Sequence, residues 1–515
     1  MKFSEFISKG RLRPLLLSLI FGCFAAIPYF FEKAFILTFI ALFGEIYTVI
    51  SVKSEKERIF LPFFIYFFAN YAIGYSFIYE LYPLDRFGFT KFESFLTVFA
   101  ACVVFPLFHA ALQALIISVI KLLPNSPVRA PFIAVSFVIA EAAVSVGKLA
   151  FPWCNISVSL TGFLPYLQTL SLFGKYFITF ITVLFVSLFA YALKDKKGVF
   201  AVMAAVVFVL NTAAGTVIYF LPEETGEDID VACVQGNVPA NQKWNTEKQG
   251  SIFYNHVLMM EEACENGAEV VILPESAVPT AYRENGTIDV YYKAISQTYG
   301  VYVIAGVNYK TESDYYNAVV GIYPDASETD IYKKRHLVPF GEYIPYSDII
   351  TKVFPFVEGL TEDFDILTAG NEPTLVKAKD VKAAPTVCFD SIFPKLSRES
   401  VAEGAQFIVI ATNDSWFNDS FGGKDHLRQA KLRAIENKRY VARAANTGIS
   451  AIIDSKGNIV EQTDFFEKDI LYGQIKPIYK ETLYTKIGDI VLYICIAAEA
   501  LMILICIIRR IKWKE

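Results

Sequence analysis

The sequence predicts a polytopic α-helical membrane domain of eight transmembrane helices and an α/β extracytoplasmic domain. The first observation is composition: the 515 residues are 54% hydrophobic and only 19% charged, with a mean hydropathy of +0.41, which is too apolar for an ordinary soluble protein. The second is an abrupt change at Pro222, after which the chain has a mixed composition and the length of one globular core. We therefore predict a membrane domain at 1–221 with seven helices, a soluble domain at 222–480, and an eighth helix with a basic cytoplasmic tail at 481–515.

Eight apolar runs are long enough to cross a bilayer. They are Leu15 to Phe31, Ala34 to Val52, Ile59 to Tyr79, Ser94 to Ile120, Ala130 to Ala150, Tyr176 to Leu193, Val199 to Leu221 and Ile487 to Ile508. Arg11 and Arg13 give the first run the look of a signal peptide. Because further spans follow at once, with no clear small-x-small cleavage site before a soluble region, we expect this run to remain in the protein.

Basic residues in the connections predict the orientation. Sixteen lie on one side of the membrane: Lys2, Lys9, Arg11, Arg13, Lys53, Lys56, Arg58, Lys121, Arg129, Lys194, Lys196, Lys197, Arg509, Arg510, Lys512 and Lys514. The opposite short loops hold five: Lys33, Arg86, Lys91, Lys148 and Lys175. By the positive-inside rule, both termini are cytoplasmic and the domain between the seventh and eighth helices lies outside.

Charge and cysteine usage exclude several classes of function. The net charge of −5 and the lack of a dense basic stripe argue against a nucleic-acid partner. The eight cysteines contain no Cys-x-x-Cys pair and several lie in apolar spans, so neither a disulfide framework nor a zinc site is indicated. The four histidines show no metal-ligand spacing either.

The soluble part alternates β-rich runs with helical stretches, which indicates an α/β domain with functional residues on loops at strand ends. The predicted strands are Val231 to Val238, Val270 to Leu273, Val301 to Val307, Ala318 to Tyr323, Thr386 to Phe389, Phe407 to Thr412 and Ser450 to Ile453. The most evident helices are His256 to Cys264 and Asp425 to Ala442.

Three strand ends carry residues of catalytic type. The run ending at Val387 delivers Cys388 into a bend before Pro394, a suitable place for a nucleophile, although an isolated cysteine there is more often a small buried hydrophobe. The strand at Val270 to Leu273 leads to Glu275, a carboxylate suited to proton transfer if desolvated and otherwise a surface acid. The cluster Lys333-Lys334-Arg335 could place an ammonium against an oxyanion, or could be a solvated charge run.

Glu275, Lys334 and Cys388, in this order, resemble the Glu-Lys-Cys triad of the carbon-nitrogen hydrolase (nitrilase) superfamily. Further strings narrow the resemblance to the apolipoprotein N-acyltransferase family, over essentially the whole chain. They are Val234 to Pro239 followed by Lys243-Trp244, Leu337 to Glu342, Asn413 to Phe417, and Arg443 to Ser450.

The resemblance implies an α-β-β-α sandwich for the soluble domain and an enzyme of the cytoplasmic (inner) cell membrane. It implies acyl transfer from a phospholipid, through a cysteine thioester with ping-pong kinetics, to the α-amine of the diacylglyceryl-cysteine of an apolipoprotein. Glu275 would be the general base, Lys334 the cation near the carbonyl and Cys388 the nucleophile, with no metal or other cofactor. Trp244 and Glu342 match positions that the family uses close to the site. Phe389 and Asp390 stand where the family often has Tyr-Glu, which changes the contacts behind the nucleophile.

Two alternatives fit parts of the same pattern. A membrane-anchored nitrilase-type amidase or hydrolase would share the triad but resolve the thioester with water. A transporter or receptor whose outer domain only binds a ligand would be indifferent to replacement of Cys388, and it would more naturally show interrupted helices and internal symmetry. In the membrane part, Phe151-Pro152-Trp153 and Gly162-Phe163 are candidates for a lipid-tail entrance or for aromatic anchoring, and Glu45, Glu141 and His109 for functional groups or helix pairing.

Overall fold

A computed structural model of the protein describes residues 12–51, 59–84, 89–325, 329–353 and 367–512. Several residues used above for the span ends and the orientation lie outside this part of the chain: Lys2, Lys9, Arg11, Val52, Lys53, Lys56, Arg58, Arg86 and Lys514. The described residues form two compact units. One contains the described residues of Met1–Tyr79, Val98–Leu221 and Ile487–Glu515, and the other contains those of Glu80–Thr97 and Pro222–Lys486. The domain boundaries predicted from the sequence, at 221 and 480, do not include the segment Glu80–Thr97 in the second unit.

Up to residue 221 the described chain is helical. The helices are α1 (Leu12–Phe30), α2 (Ile36–Ser51), α3 (Phe60–Gly74), α4 (Lys91–Phe99), α5 (Phe105–Ile117), α6 (Ala130–Ala143), α7 (Ile156–Ser159), α8 (Leu164–Leu167), α9 (Leu170–Phe173), α10 (Lys175–Asp195) and α11 (Gly198–Phe220). A π-helical turn, Ala100–Val104, and a 3₁₀ turn, Ser118–Leu122, make α4 and α5 part of one helical stretch, Lys91–Leu122.

Five helices of the described chain are long and apolar enough to cross a membrane. They are Leu12–Phe30, Lys91–Leu122, Lys175–Asp195, Gly198–Phe220 and Ile490–Arg509. The other three predicted spans contain the shorter helices α2, α3 and α6, of 16, 15 and 14 residues. Length and hydropathy therefore support a membrane protein with several spans, and the count of eight stays a prediction.

The second unit contains thirteen strands among the described residues. They are β1 (Ile229–Gln235), β2 (Val270–Leu273), β3 (Ala281–Tyr282), β4 (Tyr302–Lys310), β5 (Tyr315–Ile322), β6 (Asp330–Lys333), β7 (Val376–Ala378), β8 (Val381–Val387), β9 (Phe407–Thr412), β10 (Val441–Ala445), β11 (Ala451–Ile453), β12 (Ile459–Gln462) and β13 (Asp469–Ile475). The helices from residue 240 onwards are α12 (Ala240–Lys243), α13 (Gln249–Glu265), α14 (Thr287–Tyr299), α15 (Ser347–Val353), α16 (Pro394–Ala402), α17 (Phe421–Asn437), α18 (Leu483–Ile487) and α19 (Ile490–Lys512).

The strands form two sheets, with the orders β13-β1-β2-β4-β5-β6 and β12-β11-β10-β9-β8-β7, and β3 pairs with β4. Strand β1 shows why both faces of the first sheet are buried. Because side chains alternate along a strand, Val231 and Cys233 pack against the second sheet, whereas Ala232 and Val234 pack against α13 and α14.

The second sheet is buried in the same manner. Its outer face packs on α16 and α17 through residues such as Val401 and Ala430. The order of layers is therefore helix, sheet, sheet, helix, which agrees with the predicted sandwich.

Strands β2 and β9 have the predicted bounds, because each is a continuous apolar run. The predicted helix from Asp425 to Ala442 was wrong at its end. Helix α17 stops at Asn437 because Lys438 has a left-handed backbone, with φ at 51°. The residues after it form β10, which pairs parallel with β9 and antiparallel with β11.

Candidate active site

Glu275 lies on a turn directly after β2. Its oxygen Oε1 accepts a hydrogen bond of 2.6 Å from the side-chain amide of Asn317. The next residue, Ser276, has a φ of 45° and donates a hydrogen bond of 2.7 Å to Asn308 on β4. Gly306 makes this turn possible, since a Cβ there would lie 2.4 Å from the carbonyl oxygen of Pro274. The turn therefore holds a buried carboxylate at the carboxyl end of β2.

Lys334 follows β6 and its side chain is buried beside two carboxylates. Its Nζ lies 2.8 Å from Oε1 of Glu342 and 3.6 Å from Oε1 of Glu275. Burial alone would lower the pKa of this ammonium, but Glu342 and Glu275 raise it above the ordinary value for lysine. Asn317 also contacts Glu342, at 3.1 Å, so one amide joins both acids. Lys334 is thus a fixed cation.

Cys388 lies one residue beyond β8, at the start of a 3₁₀ turn, Cys388–Ile392. Its φ of 48° is a left-handed backbone conformation that is strained for a residue with a side chain and is frequent at functional sites. The residue as a whole is partly exposed, although the groups around its sulfur desolvate the thiol. Burial and the Glu275 carboxylate raise the pKa of its thiol, and Lys334 lowers it. The resting sulfur is therefore a thiol rather than a thiolate.

Asp390 is fully buried and ties the Lys334 segment to the Cys388 turn. Oδ1 accepts a hydrogen bond of 2.7 Å from the backbone N–H of His336, and Oδ2 accepts one of 2.9 Å from the hydroxyl of Tyr332. Burial raises the pKa of the Asp390 carboxyl to about 6. Asp390 therefore links the segment that carries Lys334 to the turn that carries Cys388.

The remaining predicted residues take different positions. Phe389 is buried and packs edge-on against Phe393, with ring centroids 5.2 Å apart. Trp244 follows the short helix α12 and is 38% exposed. The residue before it, Lys243, is buried and donates a hydrogen bond of 2.9 Å to the backbone carbonyl of Glu275. Burial lowers the pKa of Lys243 to about 8, although the electrostatic interactions with Glu275 and Cys388 partly raise it.

Sequence reasoning missed a second cluster, beneath Cys388. Nδ1 of His426 lies 2.9 Å from Oδ1 of Asp414, and its Nε2 lies 3.1 Å from the carbonyl oxygen of Cys388. Arg443 forms an ion pair with the other oxygen of Asp414. Although burial would raise the pKa of Asp414, Arg443 and His426 lower it below the ordinary range. Asp414 and Arg443 had appeared only within family strings, and nothing in the sequence marked His426 on α17.

The candidate lipid-tail entrance in the first unit is closely packed. Trp153 is buried and stacks on Phe151, with centroids 5.5 Å apart. Phe163 stacks on Phe35 at 5.3 Å. A lipid-tail entrance and aromatic anchoring both stay predictions for these residues.

Two of the polar residues in the predicted spans have hydrogen-bond partners from other segments of the first unit, as helix pairing predicts. Nδ1 of His109 lies 3.0 Å from the hydroxyl of Tyr75, and Glu141 accepts a hydrogen bond of 2.6 Å from Thr179. Glu45 is buried in the first unit. We assign these residues no catalytic role.

Comparisons with known proteins match both parts of the chain. Residues 230–481 match the carbon-nitrogen hydrolase family, and residues 20–188 match the apolipoprotein N-acyltransferase N-terminal domain. The apolipoprotein N-acyltransferase of Geobacter metallireducens is 30% identical over 365 residues, which cover 68% of this chain and 69% of the relative. The chain belongs to the apolipoprotein N-acyltransferase family.

Other members of the apolipoprotein N-acyltransferase family agree with this assignment. The protein of that name from Methylococcus capsulatus is 34% identical over 347 residues, 66% of each chain, and that from Shewanella oneidensis is 28% identical over 378 residues, 70% of each chain. The carbon-nitrogen hydrolase match includes Glu275, Lys334 and Cys388, whose catalytic roles stay predictions.

Proposed function

We propose that the protein is an apolipoprotein N-acyltransferase. It takes a fatty acyl chain from a membrane phospholipid and transfers it, through a thioester on Cys388, to the α-amine of the N-terminal diacylglyceryl-cysteine of an apolipoprotein. The observation that carries the proposal is the buried Lys334 ammonium, which forms ion pairs with both Glu275 and Glu342. Glu275 raises the pKa of the Cys388 thiol and Lys334 lowers it. The matched N-terminal domain separates this function from that of a hydrolase without a membrane part.

In the first half-reaction, Sγ of Cys388 attacks the carbonyl carbon of the phospholipid ester. The thiol proton passes to the Glu275 carboxylate, which acts as the general base. The carbonyl oxygen becomes an oxyanion that the Lys334 ammonium stabilises, a contribution of about 3 kcal/mol per donor in acyl transfer. Collapse breaks the ester C–O bond, and the lysophospholipid oxygen takes the proton back from Glu275.

In the second half-reaction, the amine of the acceptor attacks the thioester carbonyl. Glu275 accepts a proton from the amine, the C–S bond breaks, and the leaving sulfur takes that proton. The products are an amide and the regenerated thiol, so the sequence of steps is ping-pong. Glu342 keeps Lys334 in place through its hydrogen bond of 2.8 Å, and its second oxygen accepts one from the N–H of Val338.

The membrane location follows from the same proposal. Both substrates carry lipid tails. In the sequence, the catalytic unit follows helix α11 and is followed by helix α19, so it is connected to an apolar helix at each end. The basic residues concentrate in the connections on the side of the two termini, which the positive-inside rule makes the cytoplasmic side. We therefore place both termini in the cytoplasm and the catalytic domain on the outer face of the inner membrane.

The two products of the reaction test the function. Purified protein is incubated with a defined phospholipid and a diacylglyceryl-cysteine peptide, and lysophospholipid, N-acyl peptide and free fatty acid are quantified by mass spectrometry. We expect one N-acyl peptide for each lysophospholipid released. Release of free fatty acid in that ratio instead, with the peptide unmodified, would establish the hydrolase.

A further inference from the structure

Lys243, the last residue of α12, is a buried lysine that the proposed reaction steps do not use. It is only 1% exposed, and a lysine is seldom so buried unless a partner holds its amine. The partner here is a backbone group, since Nζ donates a hydrogen bond of 2.9 Å to the carbonyl oxygen of Glu275. Lys243 also interacts electrostatically with Glu275 and Cys388. Its amine therefore lies among the groups of the candidate site.

The direction of this hydrogen bond does not depend on the protonation state of Lys243. A carbonyl oxygen only accepts hydrogen bonds. The amine of a lysine carries N–H hydrogens whether it is charged or neutral, so it can donate in either state. The contact between Nζ and the Glu275 carbonyl is thus sufficient to make Lys243 the donor.

The turn that Lys243 contacts has a backbone that needs support. Ser276, directly after Glu275, has a φ of 45°, a left-handed conformation that a residue with a side chain keeps only when its surroundings hold it. On one side of Ser276, the N–H of Ala277 donates a hydrogen bond of 3.0 Å to the carbonyl of Gly306. On the other side, Lys243 binds the carbonyl of Glu275. The strained residue is therefore held from both sides.

The segment that leads to Lys243 is itself fixed. The backbone N–H of Asn237 donates a hydrogen bond of 2.9 Å to the carbonyl of Asn446. The side chain of Asn446 accepts a hydrogen bond from the N–H of Val238 and donates one to its carbonyl, at 3.0 and 2.7 Å. Because β1 and β2 are parallel neighbours, the connections that follow them leave from the same edge of the sheet. Lys243 can therefore act as a rigid support for the Glu275 turn.

We propose that Lys243 is a positioning residue for the reaction, whose hydrogen bond to the Glu275 carbonyl keeps the turn in the conformation that directs the Glu275 carboxylate towards Lys334. The inference rests on the proposed role of Glu275 as the general base. Lys243 transfers no proton and need not touch the substrate. Loss of its hydrogen bond leaves the carboxylate in the protein but misplaces it.

A double-mutant cycle with Glu275→Gln tests the proposal, and the measured rate is that of thioester formation on Cys388 from a defined phospholipid. Lys243→Met removes the donor, and we expect it to lower the rate between about 10-fold and 100-fold when Glu275 is present. In the Glu275→Gln background the same change should lower the rate by at most about twofold, because Lys243 acts through the carboxylate. Equal losses in the two backgrounds would overturn the proposal.

Lys438→Met is the matched control. Lys438 is also largely buried, and its Nζ pairs with Glu223 at 3.3 Å. We expect this variant to retain the wild-type rate within a few-fold. A loss as large as that of Lys243→Met would mean that any buried lysine has the effect, which would overturn the proposal. If Lys243→Met does not fold, Lys243→Leu removes the same donor.

Hydrogen exchange of the turn is a second measurement and needs no acyl donor. The amide of Ala277 is buried and hydrogen-bonded, and we expect it to exchange about tenfold faster in Lys243→Met than in the wild type or in Lys438→Met. Unchanged exchange in a folded Lys243 variant would overturn the proposal. Failure of the proposed function is a different result: no thioester on wild-type protein, or a wild-type rate in Glu275→Gln.

Discussion

Replacement of Lys334 by methionine is expected to lower the rate of acyl transfer by about 10³-fold. The ammonium is a buried cation that faces the Glu275 carboxylate, so its loss removes the charge that is proposed to stabilise the oxyanion. It also removes the charge that lowers the pKa of Cys388, so less thiolate forms. The rate of lysophospholipid release in a single turnover measures the effect directly.

Lys333→Met is the matched control for this change. Lys333 is the neighbouring residue, but its Nζ lies 4.2 Å from the ring centroid of Tyr316 and not beside the carboxylates. We expect this variant to retain the wild-type rate within a few-fold. Equal losses in the two variants would contradict a specific role for Lys334.

Replacement of Glu275 by glutamine is expected to lower the rate between about 10²-fold and 10⁴-fold, the usual contribution of a general base. The amide can still occupy the turn after β2, but it cannot accept the thiol proton. Both half-reactions should slow, since each needs the same base. Rapid-quench measurement of thioester formation and of its discharge by the peptide separates the two steps.

Glu269→Gln tests whether any lost carboxylate has this effect. Glu269 precedes β2, at the other end of the strand from Glu275, and pairs with Lys379 where both side chains are about one-third exposed. The control variant should keep full activity. If Glu275→Gln is as active as the control, another group removes the proton and the proposed role of Glu275 is wrong.

The sequence was informative where local pattern decides the structure. Strands β2 and β9 were predicted to the residue because each is a bounded apolar run, and Cys388 was noticed because such a run ends beside it. Strand β10 was missed because Val441 continues the apolar pattern of α17. Its conformation depends on the left-handed backbone at Lys438 and on pairing with β9, which only the tertiary structure supplies.

The same distinction applies to the candidate site. Glu275 and Lys334 each follow a strand, and their order along the chain matched a family pattern. Asn317 lies within β5, and it reaches Glu275 and Glu342 because β5 pairs with β6 and the backbone of Lys334 bonds to that of Asn317 at 2.8 Å. Nothing in the sequence pattern distinguishes His426 from other polar residues of a helix, because its contact with the Cys388 turn depends on how α17 packs. Such contacts depend on strand register and helix packing, which periodicity alone does not encode.

The intact mass of the protein after incubation with a defined phospholipid tests whether Cys388 takes up the acyl chain as a thioester. We expect one acyl adduct on wild-type protein that hydroxylamine removes, no adduct on Cys388→Ala, and faster discharge by a diacylglyceryl-cysteine peptide than by water. A folded wild-type protein that gains no adduct from any of several phospholipids, or the same adduct on Cys388→Ala, would contradict it.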